Sequence, residues 1–256
     1  MSKSIFGLNH LNINNKRLQM KLDVLVFAAH PDDAELSMGG TIAKFTSNKL
    51  KVGVIDLTKA ELSTRGDVIT RQQETAVATK VLKLKIRGNL GIKDGGINLS
   101  QDSLKKVVSQ IRNYKPSIVF APYFNDRHPD HIDVSNLVKR AVFSSGLEKF
   151  KTSLSGKSQQ AYRPKKIFYY MQTYLFDPSF IVDVSDYFDI KMKSCRAFKS
   201  QFHNPNVKKS DTFISKPEFL DYVESRAKFY GFQIRKKCGE PFYCEEDIEY
   251  NFEDIL

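Results

Sequence analysis

The stretch KLDVLVFAAHPDDAELSMGG, residues 21–40, decides the fold. Its first nine residues are an apolar run rich in Val, Leu and Phe, the pattern of a buried strand. Directly after it stand His30, Pro31, Asp32, Asp33 and Glu35, followed by the pair Gly39–Gly40. Charge gathered at the end of a buried strand costs stability unless a metal, a helix N-terminus or solvent offsets it.

Outward from this stretch, strand and helix patterns alternate. Residues 38–47 read as a helix, 51–58 (KVGVIDLT) as a strand, 67–82 as a helix and 86–90 (IRGNL) as a short strand. A helix over 104–114 carries Leu104, Val107, Val108 and Ile111 on one side, and Pro116 ends it before the strand SIVFAP, residues 117–122. Residues 133–143 are helical again. Apolar strands alternating with helices predict a Rossmann-like α/β fold, a mostly parallel sheet with helices on both faces. The C-terminal part is less regular: KKIFYYM (165–171) and FIVDV (180–184) read as strands, 186–199 and 216–231 as helices, and 154–164 as a loop. No Pro/Gly/Ser linker divides the chain, so residues 21–256 are expected to form a single domain. The Asn-rich residues 1–20 read as a flexible N-terminal extension, with Met20 a candidate alternative start.

Bulk properties narrow the class. The 256 residues are 41% hydrophobic and 27% charged, ordinary for a chain that buries a core. A net charge of +11 admits either a nucleic-acid or membrane partner or a basic cleft that draws in small anions. The Lys and Arg residues are dispersed, with no basic tail, arginine-glycine repeat or aromatic RNA-binding run, which argues against nucleic acid. Three cysteines without a C-x-x-C pair point to a reducing compartment. No apolar run approaches the ~20 residues that span a bilayer, and residues 1–19 lack a signal-peptide core, so a cytoplasmic location without membrane partners is expected.

Two polar clusters carry the chemistry. HPDDAE follows the first strand, and NDRHPDH, residues 125–131, follows the fourth. In a Rossmann order these strands are neighbours at the point where strand order reverses, so both clusters face one cleft. Singly, HPD is usually a surface turn, H-x-x-H incidental, and DDAE a helix cap. Jointly, His30, Asp33 and His131 offer two imidazoles and a carboxylate, a set that leaves an open position on a catalytic zinc. Of the two aspartates one can bind metal while the other, Asp32, stays free as a base. Of His128 and His131 one ligates and the other reaches the substrate oxygen, and Asp130 can orient a histidine. Iron(II) or another divalent ion would accept the same ligands. The glycine pair fits neither dinucleotide nor P-loop spacing and reads as a close approach of helix and strand.

AHPDDAE with HPDH resembles the signature pair of the PIG-L/LmbE-like zinc-dependent de-N-acetylases. Residues 56–74, 121–131, 141–150 and 162–171, with SQFHNP and ESRAKFYGFQI farther on, are similar to the bacillithiol-pathway branch, whose members deacetylate N-acetylglucosaminyl-malate. The resemblance covers about residues 21–243. It implies zinc on His30, Asp33 and His131, Asp32 as general base, His128 as a cationic stabiliser of the oxyanion and a candidate proton donor to the leaving amine, and Asp130 orienting His128. It further implies that Arg71, Arg127 and Arg163 hold the carboxylates of an anionic sugar substrate, that Asp94 binds sugar hydroxyls, and that Glu35 stands behind the ligands. A homo-oligomer, trimer or hexamer, is expected by the same analogy.

Some relatives carry a tyrosine two residues before the first histidine of HPDH; here that residue is Asp126, which places more oxyanion duty on His128. Two alternatives remain from the sequence. One is a deacetylase of another glucosaminide: an inositol conjugate, a chito-oligosaccharide or an antibiotic intermediate. The other is a basic nucleic-acid-binding protein with a degenerate metal fold.

Overall fold

The computed structural model describes residues 20–206 and 209–249. The expected extension falls, save for Met20, outside them. The first half is a run of strand–helix units: β1 (Val24–Ala28), α1 (Asp33–Ser47), β2 (Val52–Asp56), α2 (Val68–Val81), β3 (Ile86–Asn89), α3 (Gln101–Tyr114), β4 (Ile118–Pro122) and α4 (Pro129–Ser145). A two-stranded hairpin, β5 (Ser153–Leu154) and β6 (Lys157–Ser158), interrupts the stretch expected to be loop. Then come β7 (Lys166–Tyr170), β8 (Phe180–Asp183), α5 (Phe188–Cys195), α6 (Phe219–Gln233) and β9 (Gly239–Tyr243).

Seven strands form one sheet in the order β3-β2-β1-β4-β7-β9-β8. The first five are parallel, and β9 runs antiparallel between β7 and β8. Alternate residues of β1 enter opposite cores. Leu25 and Phe27 pack with Val107, Val108, Leu137 and Val138 of α3 and α4, whereas Val24, Val26 and Ala28 pack with Met38 and Ile42 of α1. Burial on both faces is why the strand reads as unbroken apolar sequence.

β1 pairs with β2 on one side and β4 on the other, so the connections leaving β1 and β4 diverge. That divergence opens the crevice at the carboxyl ends of the two central strands.

The boundaries at that crevice differ from expectation. α1 starts at Asp33, not at 38, and kinks at Met38, whose φ of −135° is non-helical. α4 starts at Pro129, not at 133, with proline in the first turn where its missing N–H costs nothing. Both helices therefore begin inside the polar clusters. The helix expected over 186–199 is a 3₁₀ turn at Ser185–Tyr187 followed by the shorter α5. β9 was not anticipated, since Glu240 and Pro241 obscure its pattern.

Candidate active site

The backbone turns sharply where β1 ends. Asp32, the residue capping α1, has φ 129° and ψ −25°, a region that side chains other than glycine rarely occupy. The turn is held by Leu36 N–H donating to Asp32 O at 2.9 Å, and by Arg71, whose Nη1 donates to Pro31 O and to Asp32 Oδ2, the latter at 2.8 Å. Successive residues are thereby aimed apart, with Asp32 against Arg71 and Asp33 toward the histidines.

Asp33 Oδ2 accepts His30 N–H at 2.8 Å, and Asp33 Oδ1 lies 3.2 Å from His131 Nε2. His30, Asp33 and His131 each offer a ligand atom, and these atoms lie within 4.8 Å of one another. Residues from two motifs a hundred positions apart thus converge as expected. The ring nitrogens away from this point are held by carboxylates. His131 Nδ1 is 2.8 Å from Asp126 Oδ1, and His30 Nε2 is 3.0 Å from Asp94 Oδ1 and 3.2 Å from Asp130 Oδ2. Two imidazoles and a carboxylate, with outer carboxylates fixing the rings, fit a tetrahedral divalent cation such as zinc. His30, His128 and Asp130 make a second, overlapping group of the same kind.

The electrostatics follow from crowding these groups. Burial pushes the Asp32 carboxyl up, against the pull of Arg71 and with the push of Asp33, to about 7. Burial also opposes ionisation of Asp33, but His131 and His30 outweigh it and hold that carboxyl well below the usual range. His131 is lifted to about 9, because Asp33 and Asp126 overcome the desolvation that would lower it. His128 moves the other way: burial, then its histidine neighbours, favour the neutral ring. Its Nδ1 accepts the N–H of Asp130 at 3.2 Å, which leaves the proton on Nε2.

Several expected partnerships are redistributed. The Asp130 carboxylate meets His30 and Gly95 N–H, and only its backbone N–H touches the His128 ring, so Asp130 orients His30. The surroundings of His128 favour the neutral ring over the expected cation. Asp94 lines the cleft, yet one oxygen faces His30 and the other accepts Leu62 N–H. Arg71 is not a free guanidinium awaiting a carboxylate: Asp32, Pro31 and Ser63 take its Nη groups. Arg127 stands exposed at the cleft rim, its guanidinium 4.7 Å from the centre of the Phe213 ring. Arg163 lies away from the cleft lining; it donates to Phe143 O and stacks on the Phe143 ring, where the end of α4 draws it. Glu35 is fully buried and paired at 2.5 Å with Arg87, which also grips Asp56. The glycine pair approaches α5 and Val184, not a strand.

The cleft above the cluster has a volume of about 330 Å³. Besides the polar groups it is lined by Leu62 and by an apolar wall of the adjoining rings Phe213, Phe219 and Tyr222. Sequence reading missed Asp126 as a holder of His131, as well as Gln172, Arg226 and this apolar wall. Asp126 was visible in DRHPDH, and Arg226 and Leu62 lie in stretches already quoted for the resemblance, but nothing in the sequence brings them or Gln172 to the cleft.

The family model described as GlcNAc-PI de-N-acetylase (PIG-L) matches residues 25–142. In structure, the chain is similar to the conserved protein TT1542 from Thermus thermophilus, with a TM-score of 0.81, 33% identity, and coverage of 90% of this chain and 98% of that one. In sequence it is 29% identical over 191 residues to diacetylchitobiose deacetylase of Thermococcus kodakarensis, covering 70% of each chain. It is 26% identical over 199 residues to the probable N-acetyl-alpha-D-glucosaminyl L-malate deacetylase 2 of Bacillus subtilis, covering 71% of this chain and 84% of the relative.

Proposed function

Because the chain belongs to the PIG-L (GlcNAc-PI de-N-acetylase) family, we propose that it is a metal-dependent hydrolase that removes the N-acetyl group from N-acetylglucosaminyl-malate, releasing acetate and glucosaminyl-malate for bacillithiol synthesis. The observation that carries the reading is the convergence of His30, Asp33 and His131 within 4.8 Å at the floor of the cleft.

A zinc or other divalent ion held by these three residues would polarise the acetamide carbonyl and acidify the attacking water. The remaining chemistry belongs to the chain. Asp32 Oδ2 is held by Arg71, which leaves Oδ1 to take the proton of the attacking water and later return it to the leaving amine. His128, with its proton on Nε2, donates a hydrogen bond to the acetamide oxygen as negative charge develops there. Arg127, with no ion pair among the described residues, supports recognition of an anionic aglycone. The relationship to the Bacillus subtilis malate deacetylase supports the same substrate.

A second reading, a chito-oligosaccharide, is favoured by the apolar wall of Phe213, Phe219 and Tyr222, a surface suited to a pyranose ring face. Acetate release from N-acetylglucosaminyl-malate, N-acetylglucosaminyl-inositol and diacetylchitobiose separates the readings, and the malate conjugate is expected to have the highest kcat/KM. Chelation is expected to abolish release and added zinc to restore it. Asp32→Asn is expected to keep its metal, measured by elemental analysis, and to lose about 10²–10⁴-fold in kcat. Full activity in that variant overturns the role of Asp32, and no acetate from any of the three conjugates overturns the function.

A further inference from the structure

A developing oxyanion is stabilised by each fixed donor aimed at it, and the two motifs offer His128 for that duty. Asp126 stands two residues before the first histidine of HPDH, and a carboxylate there only accepts. Its oxygens are already taken by His131 Nδ1 and by the N–H groups of His128, Thr173 and Tyr174. Arg71 is committed to Asp32. Gln172, which lines the cleft beside His131, adds a neutral side-chain amide donor.

Gln172 follows the end of β7 and lines the cleft. Ser37, on α1, donates its hydroxyl to Gln172 Oε1, which turns Nε2 the opposite way, to 3.5 Å from His131 Nε2. The backbone is pinned as well. Buried Arg226 donates Nη1 to Gln172 O and Nη2 to Leu36 O at 3.2 Å, tying the end of β7 to α1. The next residue, Thr173, donates its N–H to Asp126 Oδ2 at 2.7 Å, and the other oxygen of Asp126 holds His131. One carboxylate therefore sets Gln172 in register with the histidine beside which it points.

We propose that Gln172 is a further catalytic residue, whose Nε2–H donates a hydrogen bond to the acetamide oxygen as it becomes an oxyanion, alongside His128. The amide is neutral at every pH and prealigned by Ser37 and Arg226, so it needs no reorganisation when charge appears. This role rests on the deacetylase reading and adds to it a residue that neither motif contains.

The test uses the zinc-loaded full chain with Gln172→Leu, which removes the donor, and Gln172→Glu, which keeps the shape but only accepts. Both are expected to lose about 10²-fold in kcat. KM should stay within about threefold and bound zinc should stay at the wild-type level. Affinity for a tetrahedral methylphosphonamide analogue of N-acetylglucosamine, measured by calorimetry, should fall far more than substrate affinity. Ser37→Ala, which releases the amide to rotate, should show a smaller fall in kcat at unchanged zinc content. A kcat within about twofold of wild type in Gln172→Leu, or a loss that tracks loss of zinc, overturns the proposal and leaves the deacetylase reading standing. A wild-type protein that releases no acetate from any N-acetylglucosaminide overturns both.

Discussion

Asp126 carries four interactions on two oxygens, to His131 Nδ1, His128 N, Thr173 N and Tyr174 N. Burial alone would raise its carboxyl, but His131 and the backbone donors outweigh that and bring it to about 2. A carboxylate that stays ionised and grips the outer nitrogen of a ligand histidine fixes both the tautomer and the ring plane. Asp126→Asn is expected to weaken zinc binding by about 10–100-fold in a competition titration with a chromogenic chelator. An unchanged affinity would reduce Asp126 to a loop staple. The residues that could hold a metal were legible at this scale, because H-P-D-D and H-P-D-H place metal-binding types at fixed spacing. Their orienting partners were not, since which nitrogen a carboxylate meets depends on side-chain directions. Asp130 shows this: its place in the motif suggested His128, whereas its carboxylate meets His30.

At the scale of elements, α1 is two helical pieces joined at Met38. The second piece gains a cap from across the fold, since Glu240 of β9 accepts Gly40 N–H at 3.0 Å and Thr41 N–H at 2.6 Å while paired with buried Lys191 of α5. Such a contact needs a close approach. A Cβ on Gly40 would lie 2.8 Å from Val184 Cβ, and one on Gly39 3.1 Å from Lys191 Cγ. Gly40→Ala should therefore destabilise the protein by about 1–3 kcal/mol in urea denaturation, despite the ~1 kcal/mol that alanine gains over glycine in a helix. Stabilisation instead would show that the Val184 side gives way. Helix existence was readable from apolar spacing, but the first turns of α1 and α4 were not, because functional carboxylates and histidines occupy them and mask the period. β9 escaped for a related reason: its Glu240 is buried as a cap and salt-bridge partner, so its strand shows no simple pattern.

Across the whole molecule, the carboxyl edge of the sheet concentrates charge beneath the cleft. Arg87 of β3 bridges Asp56 of β2 and Glu35 of α1, at 2.7 and 2.5 Å. Burial raises the Asp56 carboxyl from 3.8 to about 6, against the pull of Arg87. A raised carboxyl favours the fold while protonated, so its contribution is complete below the unfolded value and is lost as pH rises through the folded one. The unfolding free energy of Asp56→Asn minus that of wild type is accordingly expected to rise between about pH 4 and pH 6 and then level off, as measured by urea titration at each pH. A flat or falling difference would mean that Asp56 ionises at least as readily in the fold as in the unfolded chain.

The sequence by itself determined the sheet class, the neighbouring central strands and the residues that could hold a metal, because burial on both faces and ligand chemistry leave their mark on residue type and spacing. Only the tertiary structure decided which carboxylate holds which histidine, that Arg71 serves Asp32, that Arg163 lies away from the cleft lining, and that Gln172 points into the cleft. Those assignments rest on distances of about 3 Å between segments far apart in the chain, and hydrogen bonding at that range is set by how elements pack, which no local pattern encodes.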